Sequence, residues 1–333
     1  MITTLLLMAI TLREAGAKAH LDIGTAVDPS YFAEPPYRDI LASEFSVIEP
    51  ENGMKFDPVH PEPGRYDFAI GDAIVKFAQE HRLKVRGHTL VWHNQLPKWV
   101  TGGNYSPEQM SAVLHNHIKN VVGHYKGQVY AWDVVNEAFN DDGTMRPSPW
   151  YDKPGIGDAG QGTKYIEQAL RWTHEADPKA KLFYNDYSAE EMNKKSDAIL
   201  AMAKDFKARG VPLDGIGFQC HAAPWYLTPK WLASFEANLK RFAAAGLEVQ
   251  ITELDCALTD DKPEALSAEA YIYRQIAAIA RRQPKCTLLQ IWGFTDKHSW
   301  ISQRPGSGWA LPWDADYNKK PAYDGIIDGL VWR

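Results

Sequence analysis

The chain has 333 residues, 45% of them hydrophobic and 23% charged, which is typical of a folded globular protein and unlike a disordered one. Its 42 acidic residues outnumber its 36 basic ones and the net charge is -6, so no basic face for nucleic acid is indicated. The 12 Trp, 15 Tyr and 12 Phe in a chain of mean hydropathy -0.39 favour an uncharged, sugar-like ligand, because aromatic rings stack on the apolar faces of sugars.

The amino-terminal segment and the cysteines bear on location and on stabilising chemistry. Residues 1–10 contain an apolar run that no basic residue precedes and that is too short to cross a bilayer, so no membrane association is predicted. We expect residues 1–10 to be an extension or the remnant of a secretion signal, and 11–333 to form one domain that opens with an amphipathic helix in TLREAGAKA. A secreted or periplasmic location is expected, and a cytoplasmic one stays open because no convincing signal peptide is present. Three cysteines without a CxxC pair indicate neither a disulfide framework nor a zinc site.

Eight β-rich runs recur along the chain, and stretches with helical periodicity separate most of them. The runs are His20 to Val27, Phe45 to Asn52, Lys84 to Trp92, Val129 to Ala138, Lys181 to Tyr187, Gly215 to His221, Glu248 to Asp255, and Thr287 to Asp296. The clearest helices between them are Pro107 to Tyr125, Lys194 to Arg209, Pro229 to Ala245, and Ala268 to Arg282. This alternation predicts a parallel sheet, and eight repeats in a chain of this length favour a single-domain α/β fold, the eight-stranded (β/α)8 TIM barrel.

Polar residues follow the ends of the predicted strands, where barrel enzymes place their catalytic groups. They stand in the segments EPENGMK, GHTLVWHNQ, WDVVNEA, YNDYS, FQCH, ITELD and WGFTDKHSW. One such residue is usually a solvated strand end, but seven strand ends that meet at one face of a barrel indicate a site. Glu137 and Glu253 each follow a nearly continuous apolar strand, and hydrolysis of a glycosidic bond needs such a pair of carboxylates.

These segments are similar to one family, the family ten glycoside hydrolases, whose members are mostly endo-1,4-β-xylanases. The shared segments are WDVVNEA around Glu137, ITELD around Glu253, ENGMK from Glu51, HTLVWH from His88, NDY from Asn185, GFQCH from Gly217, WGFTDKHSW from Trp292 and the closing YNKKPAY. They stand in the family order and spacing from about residue 11 to the end of the chain. The resemblance implies a TIM barrel and a retaining endo-1,4-β-xylanase that cleaves internal bonds of xylan and xylo-oligosaccharides by double displacement.

The resemblance assigns the general acid/base to Glu137 and the nucleophile to Glu253. His221, at the end of the sixth strand, is placed to hydrogen-bond Glu253, and Asp255 can orient His221 from the other side. By similarity, Asn136 donates to the 2-hydroxyl of the sugar being cleaved, a contact that strengthens in the transition state. The alternatives are a satisfied core histidine at position 221 and a structural strand-end asparagine at position 136.

Nine further residues resemble the substrate-binding groups of the family. They are Gln219 and His88 at the cleaved sugar, Glu51, Asn52, Lys55 and Trp92 at the next sugar toward the non-reducing end, Tyr187 on the leaving-group side, and Trp292 and Trp300 above the cleaved sugar. An ordinary surface lysine and a core aromatic are the alternatives for Lys55 and Tyr187. Xylose lacks the hydroxymethyl group of glucose and would fit under the two tryptophans, whereas a clash there costs about 1–3 kcal/mol, so xylan is the expected substrate.

Three positions differ from the family pattern or from some of its members. Ser188 stands where many relatives carry Asn after NDY, and Ile301 follows Trp300 where many carry Arg. We expect both near the cleft, where they would affect leaving-group affinity and the tolerance of side branches. Cys286 stands where some relatives have a disulfide cysteine, but the helix just before it contains no partner, so a reduced thiol is expected.

Three other functions stay open on the sequence. Another barrel glycosidase, such as a cellulase or a mannanase, would use the same carboxylate pair. A binding or inhibitor protein without catalysis is disfavoured because both glutamates are present. A metal-dependent hydrolase using His88, His93 and His221 is disfavoured because these residues lack a metal-ligand spacing. We predict no metal, no cofactor and no obligate protein partner.

Overall fold

Eight parallel strands form a closed barrel within the residues that the computed structural model describes, 10–225 and 228–332. The strands are β1 Asp22–Val27, β2 Val47–Pro50, β3 Lys84–Val91, β4 Val129–Asn136, β5 Lys181–Asp186, β6 in two segments Gly215–Phe218 and His221–Ala222, β7 Glu248–Cys256, and β8 Cys286–Ile291. Strands adjacent in the chain pair with each other, and β8 also pairs with β1. The sheet therefore closes, and the predicted (β/α)8 barrel is confirmed.

Helices cover the outside of the barrel. The α-helices are α1 Leu12–Lys18, α2 Pro35–Glu44, α3 Phe56–Val59, α4 Ala69–His81, α5 Lys98–Thr101, α6 Pro107–His124, α7 Lys164–Ala176, α8 Lys194–Ala208, α9 Pro229–Ala244, α10 Pro263–Arg282 and α11 Pro321–Val331. Short 3-10 helices span Pro29–Ala33, Asp296–His298 and Trp300–Gln303. Helix α6 shows how the helices pack on the barrel. Met110, Leu114 and Ile118 recur every four residues and are buried on one face of this helix.

Two boundaries differ clearly from those expected. Helix α10 begins at Pro263 and not at Ala268. The first N–H groups of a helix have no partner within the helix, so proline, which lacks an N–H, is favoured there. Pro263 therefore marks the start of this helix. Strand β8 ends at Ile291 and not at Asp296, because Gly293 takes a φ of +87° that no strand continues.

The amino-terminal helix is confirmed where TLREAGAKA predicted it. Thr11 and Glu14 form a capping box at its start, and Leu12 and Ala15 are buried against the barrel. Of the predicted extension 1–10, residues 1–9 lie outside the described residues. Within the described ranges no helix combines the length and the apolar character that a bilayer span requires.

A layer of buried polar side chains fills part of the barrel below the strand ends. Arg86 on β3 donates to Gln250 on β7 at 3.1 Å, and Gln290 on β8 donates to Glu49 on β2 at 3.0 Å. Arg86 also forms an ion pair with Asp133 on β4. Because these bonds cross the barrel, they hold five strands in fixed relative positions.

Candidate active site

The carboxyl ends of the strands surround a cleft of about 1010 Å³. All nine predicted substrate-binding residues line it, and so do Glu137, Glu253, Asn136 and His221. Asp255 is buried directly behind His221 and is not part of the wall. The structure therefore brings the predicted site residues together at the face that the barrel topology indicated.

Glu137 directly follows β4 and is held by three donors. Its Oε2 accepts from Trp92 Nε1 at 2.9 Å, and its Oε1 accepts from Gln219 Nε2 at 3.0 Å and Asn136 Nδ2 at 3.3 Å. The backbone of Glu137 is left-handed, with a φ of +57°, and its N–H donates to Asn185 O at 2.9 Å. Such a conformation costs about 1–3 kcal/mol and turns the side chain into the cleft.

Glu253 lies on β7 and is 4% exposed. Its Oε1 accepts from Asn185 Nδ2 at 2.7 Å, and its Oε2 accepts from His221 Nε2 at 3.2 Å. Burial opposes ionisation, but the His221 hydrogen bond and the charges of His88 and His221 hold the pKa of this carboxyl below its ordinary value. Glu253 is thus kept as a carboxylate, which is the form a nucleophile needs.

His221 is hydrogen-bonded on both sides of its ring, as the sequence predicted. Nδ1 donates to Asp255 Oδ2 at 2.9 Å, and Nε2 donates to Glu253. Burial alone would lower the pKa of His221, but the charge of Asp255 and the hydrogen bonds to the two carboxylates raise it to about 10. The imidazolium form can make both bonds at once, whereas neutral imidazole can donate only one. The alternative of an ordinary core histidine does not account for this placement.

Asn185 joins the two glutamates, and it was not among the predicted site residues. Its Nδ2 donates to Glu253 Oε1 and also to Asn136 Oδ1, at 2.7 and 2.9 Å, while its Oδ1 accepts from Thr252 Oγ1 at 2.7 Å. Gln219 Nε2 bonds Asn136 Oδ1 and Glu137 Oε1. A chain of three amides therefore connects one carboxylate to the other across the cleft floor.

Glycine at position 217 makes room for this amide chain. A Cβ there would lie 2.3 Å from Asn185 Oδ1 and 2.9 Å from Thr252 Cγ2. The first distance is shorter than any stable contact, so a side chain at Gly217 would displace the asparagine. This lack of space explains the glycine in the GFQCH segment, which the sequence alone did not explain.

Comparison with known proteins identifies the family to which this chain belongs. The sequence model of glycosyl hydrolase family 10 matches residues 11–329. The chain belongs to glycosyl hydrolase family 10. It is 43% identical to endo-1,4-beta-xylanase B of Thermotoga neapolitana over 323 residues, which cover 95% of this chain and 90% of the relative. It is 40% identical to endo-1,4-beta-xylanase A of Phanerodontia chrysosporium over 320 residues, 95% of this chain and 76% of the relative.

Solved structures share the whole family 10 fold. Native xylanase 10B from Thermotoga maritima superposes with a TM-score of 0.90 at 44% identity. The superposition covers 96% of this chain and 98% of the Thermotoga maritima chain. Xylanase 10B from Thermotoga petrophila RKU-1, in complex with xylobiose, gives a TM-score of 0.90 at 45% identity, with 96% and 97% covered. The barrel and its connections are therefore those of the family.

Lys55 of this family 10 protein is a buried cleft residue and not the surface lysine that the sequence left open. It is 6% exposed, donates to Asn52 Oδ1 at 3.0 Å, and lies 5.0 Å from the ring centre of Trp92 and 5.8 Å from that of Trp292. Burial lowers the pKa of Lys55, while the charges of Glu253, Glu51 and Glu137 raise it in part.

The two positions expected to affect the cleft have different outcomes. Ser188 lines the cleft, in a left-handed backbone with a φ of +52°. Ile301 does not: it is 1% exposed and packs with Ala310 and Leu311 in a small core of its own. Its position beside Trp300 is near the cleft, as expected, but its buried side chain is not part of the cleft wall. Arg304 lines the cleft instead, with its guanidinium 3.7 Å from the ring centre of Trp300.

The three histidines of the metal hypothesis do not converge. Within the described ranges, the group of side chains that could converge on a metal is Glu49, His88 and Asp133, without His93 or His221. The guanidinium of Arg86 is ion-paired with both carboxylates of that group, so a cation already lies beside them. The three cysteines are free and buried, which confirms the reduced thiol expected at Cys286.

Proposed function

We propose that this family 10 protein is a retaining endo-1,4-β-xylanase that acts on xylan and xylo-oligosaccharides. The observation that carries the proposal is the pair Glu137 and Glu253, which face one cleft but have different partners. Glu253 is held as a carboxylate by the charged ring of His221, as a nucleophile must be. Glu137 is held by neutral indole and amide donors, which tolerate a change of protonation more easily.

The proposed reaction has two steps. In the first, Glu137 as carboxylic acid gives its proton to the glycosidic oxygen while an oxygen of Glu253 attacks the anomeric carbon, so the sugar–oxygen bond breaks and a glycosyl ester forms. In the second, Glu137 as carboxylate takes a proton from water, whose oxygen attacks the same carbon and releases Glu253. Each step inverts the anomeric centre, and two inversions retain the β configuration.

Internal cleavage requires sugar sites on both sides of the broken bond. The cleft wall extends from Glu51 and Lys55 after β2, past the two glutamates, to Ser188 and Thr228 after β5 and β6. The lining is therefore not confined to one side of the reacting centre. This arrangement supports binding of an internal stretch of a polysaccharide.

Two tryptophans over the cleaved sugar support the preference for xylan. Trp292 is 7% exposed, and Trp300 is fixed because its Nε1 donates to Asp255 Oδ2 at 2.8 Å. Neither ring can move aside without losing packing or a hydrogen bond, so a hydroxymethyl group would meet a firm surface. One such clash costs about 1–3 kcal/mol, and glucan would be a poorer substrate than xylan.

The decisive experiment is product analysis over time on xylan, glucan and mannan. Mixed short xylo-oligosaccharides appearing early on xylan, with much slower release from glucan and mannan, are expected. A single end product from the first minutes would show action at chain ends. Faster hydrolysis of glucan or mannan would favour the cellulase or mannanase alternative.

A further inference from the structure

Lys195, on the first turn of α8, is a fully buried cation. Its side chain is 0% exposed, and its Nζ lies 2.8 Å from Asp186 Oδ1, 3.4 Å from Asp141 Oδ1 and 3.8 Å from the ring centre of Tyr187. The preceding residue, Lys194, is exposed as helix-surface lysines usually are. Burying an ammonium is costly, so the place of Lys195 calls for a specific role.

Tyr187 is held at three points. Its N–H donates to Asp186 Oδ1 at 2.9 Å, the same oxygen that binds Lys195. Its hydroxyl accepts from Arg146 Nη2 at 2.6 Å. The ammonium of Lys195 lies over one face of its ring. Backbone, hydroxyl and ring face are therefore all fixed before any substrate binds.

Lys195 holds the Tyr187 ring from outside the cleft. Tyr187 lines the cleft together with Asn136 and Glu137, but Lys195 does not line it and has no solvent exposure. Lys195 therefore fixes the ring without occupying the cleft that a sugar would enter. A cation above a desolvated aromatic face is among the stronger fixing contacts for such a ring.

We propose that Lys195 is a positioning residue for the leaving-group side of the cleft, acting through Tyr187. The inference rests on the proposed glycosidase function. A mobile tyrosine would lose its rotamer freedom each time a leaving-group sugar binds, whereas a ring clamped in advance has already lost it. Lys195 and Asp186 thus contribute to affinity for the departing part of the chain without touching it.

The competing explanation is that Lys195 only neutralises Asp186 within the fold. The two explanations differ in one measurable quantity. A purely structural pair would change thermal stability and the fraction of active enzyme, but not the affinity of the leaving-group side. A positioning role changes that affinity itself.

The test isolates the leaving-group side by filling the other side covalently. A 2-deoxy-2-fluoro-β-xylobiosyl fluoride would trap the glycosyl enzyme, and xylobiose would then reactivate it by binding only on the leaving-group side. The quantity measured is the xylobiose concentration that gives half-maximal reactivation. In the double variant Asp186→Asn/Lys195→Met, which keeps an acceptor for the Tyr187 N–H, this concentration should rise roughly tenfold, the effect of about 1.4 kcal/mol.

The matched control removes another Lys–Asp pair that is far less buried. Lys262 and Asp260 are 2.8 Å apart at the surface, and Asp260→Asn/Lys262→Met should leave the half-maximal concentration unchanged. An unchanged concentration in the Asp186→Asn/Lys195→Met enzyme would overturn the inference. If that enzyme does not fold, the variant Arg146→Met is used in its place. It removes the hydrogen bond to the Tyr187 hydroxyl and should raise the half-maximal concentration in the same direction. No rise in that variant would overturn the inference as well.

Failure of the proposed function has a different signature. Wild-type enzyme that is neither trapped by the fluoride nor active on xylo-oligosaccharides would refute the glycosidase proposal. Wild-type enzyme that is trapped and reactivated normally, with the Asp186→Asn/Lys195→Met variant unchanged, would refute only the role of Lys195.

Discussion

Replacing Asp255 with asparagine should uncouple His221 from the nucleophile. Asp255 Oδ2 accepts from His221 Nδ1 at 2.9 Å, and its charge is the main cause that raises the pKa of His221 to about 10. Without that charge the pKa of His221 falls toward its ordinary value of 6.5. At neutral pH the ring then has one N–H where it had two, and Glu253 competes for it with the carbonyl oxygen of the introduced amide.

The expected magnitude follows from the loss of one charge-assisted hydrogen bond to Glu253. Such a bond is worth about 1.5–3 kcal/mol, which corresponds to about one to two pH units. Because this bond lowers the pKa of Glu253, its loss raises that pKa, and less of the nucleophile is ionised at a given pH. The acid limb of kcat/KM should move to higher pH by about one to two units.

The assay is kcat/KM against pH on a soluble xylo-oligosaccharide, with Trp300→Phe as the control. That control removes the second donor to Asp255, at 2.8 Å, but leaves the pair of Asp255 and His221 intact. Its acid limb should stay in place even if its kcat/KM falls. An Asp255→Asn enzyme whose acid limb coincides with that of the wild type would show that Asp255 does not act on Glu253 through His221.

The same pair makes stability depend on pH, with a defined sign. The pKa of His221 is raised from 6.5 to about 10 in the folded protein, so the folded state binds the proton more tightly. Its contribution to stability is complete below pH 6.5 and is lost as the pH rises to about 10. Denaturant unfolding should show a steeper loss of stability between these pH values for the wild type than for Asp255→Asn. Equal slopes would contradict the assignment.

Three further predictions follow from the site geometry. Glu137→Ala should lose most activity on xylan but little of the glycosylation rate on β-xylobiosyl fluoride, whose leaving group needs no proton; equal losses would argue against its role. Gly217→Ala should displace Asn185 and destabilise the fold by about 1–3 kcal/mol in denaturant unfolding, whereas Gly123→Ala, with open space around it, should not destabilise it. Dialysis against a chelator should leave kcat unchanged, because the guanidinium of Arg86 already lies beside the buried carboxylates; metal-restorable loss would contradict this.

The sequence predicted the barrel and the residues around its mouth because both follow from local patterns. Alternating β and helical periodicity implies a parallel barrel, and strand ends in such a barrel share one face. The partners of His221 could be predicted because Asp255 and Glu253 are two apart on one strand, so their side chains point the same way. Strand boundaries were less predictable, as β8 shows, because a single glycine conformation ends it.

Contacts between distant strands could not be predicted in this way. Asn185 appeared in the NDY segment, but nothing local indicates that one amide would reach both Asn136 and Glu253. The donation from Trp92 to Glu137 depends on a rotamer choice that a sequence does not record. The burial of Ile301 could not be predicted for the same reason, because its side chain packs with Ala310 and Leu311 farther along the chain.

The most direct test of the two-glutamate account is to identify the residue that carries the trapped sugar. Enzyme treated with 2-deoxy-2-fluoro-β-xylobiosyl fluoride would be digested and its peptides mapped by mass spectrometry. One adduct per chain is expected, on Glu253 within ITELD. An adduct on another residue, or rapid turnover of the reagent with no covalent species at all, would contradict double displacement through Glu253.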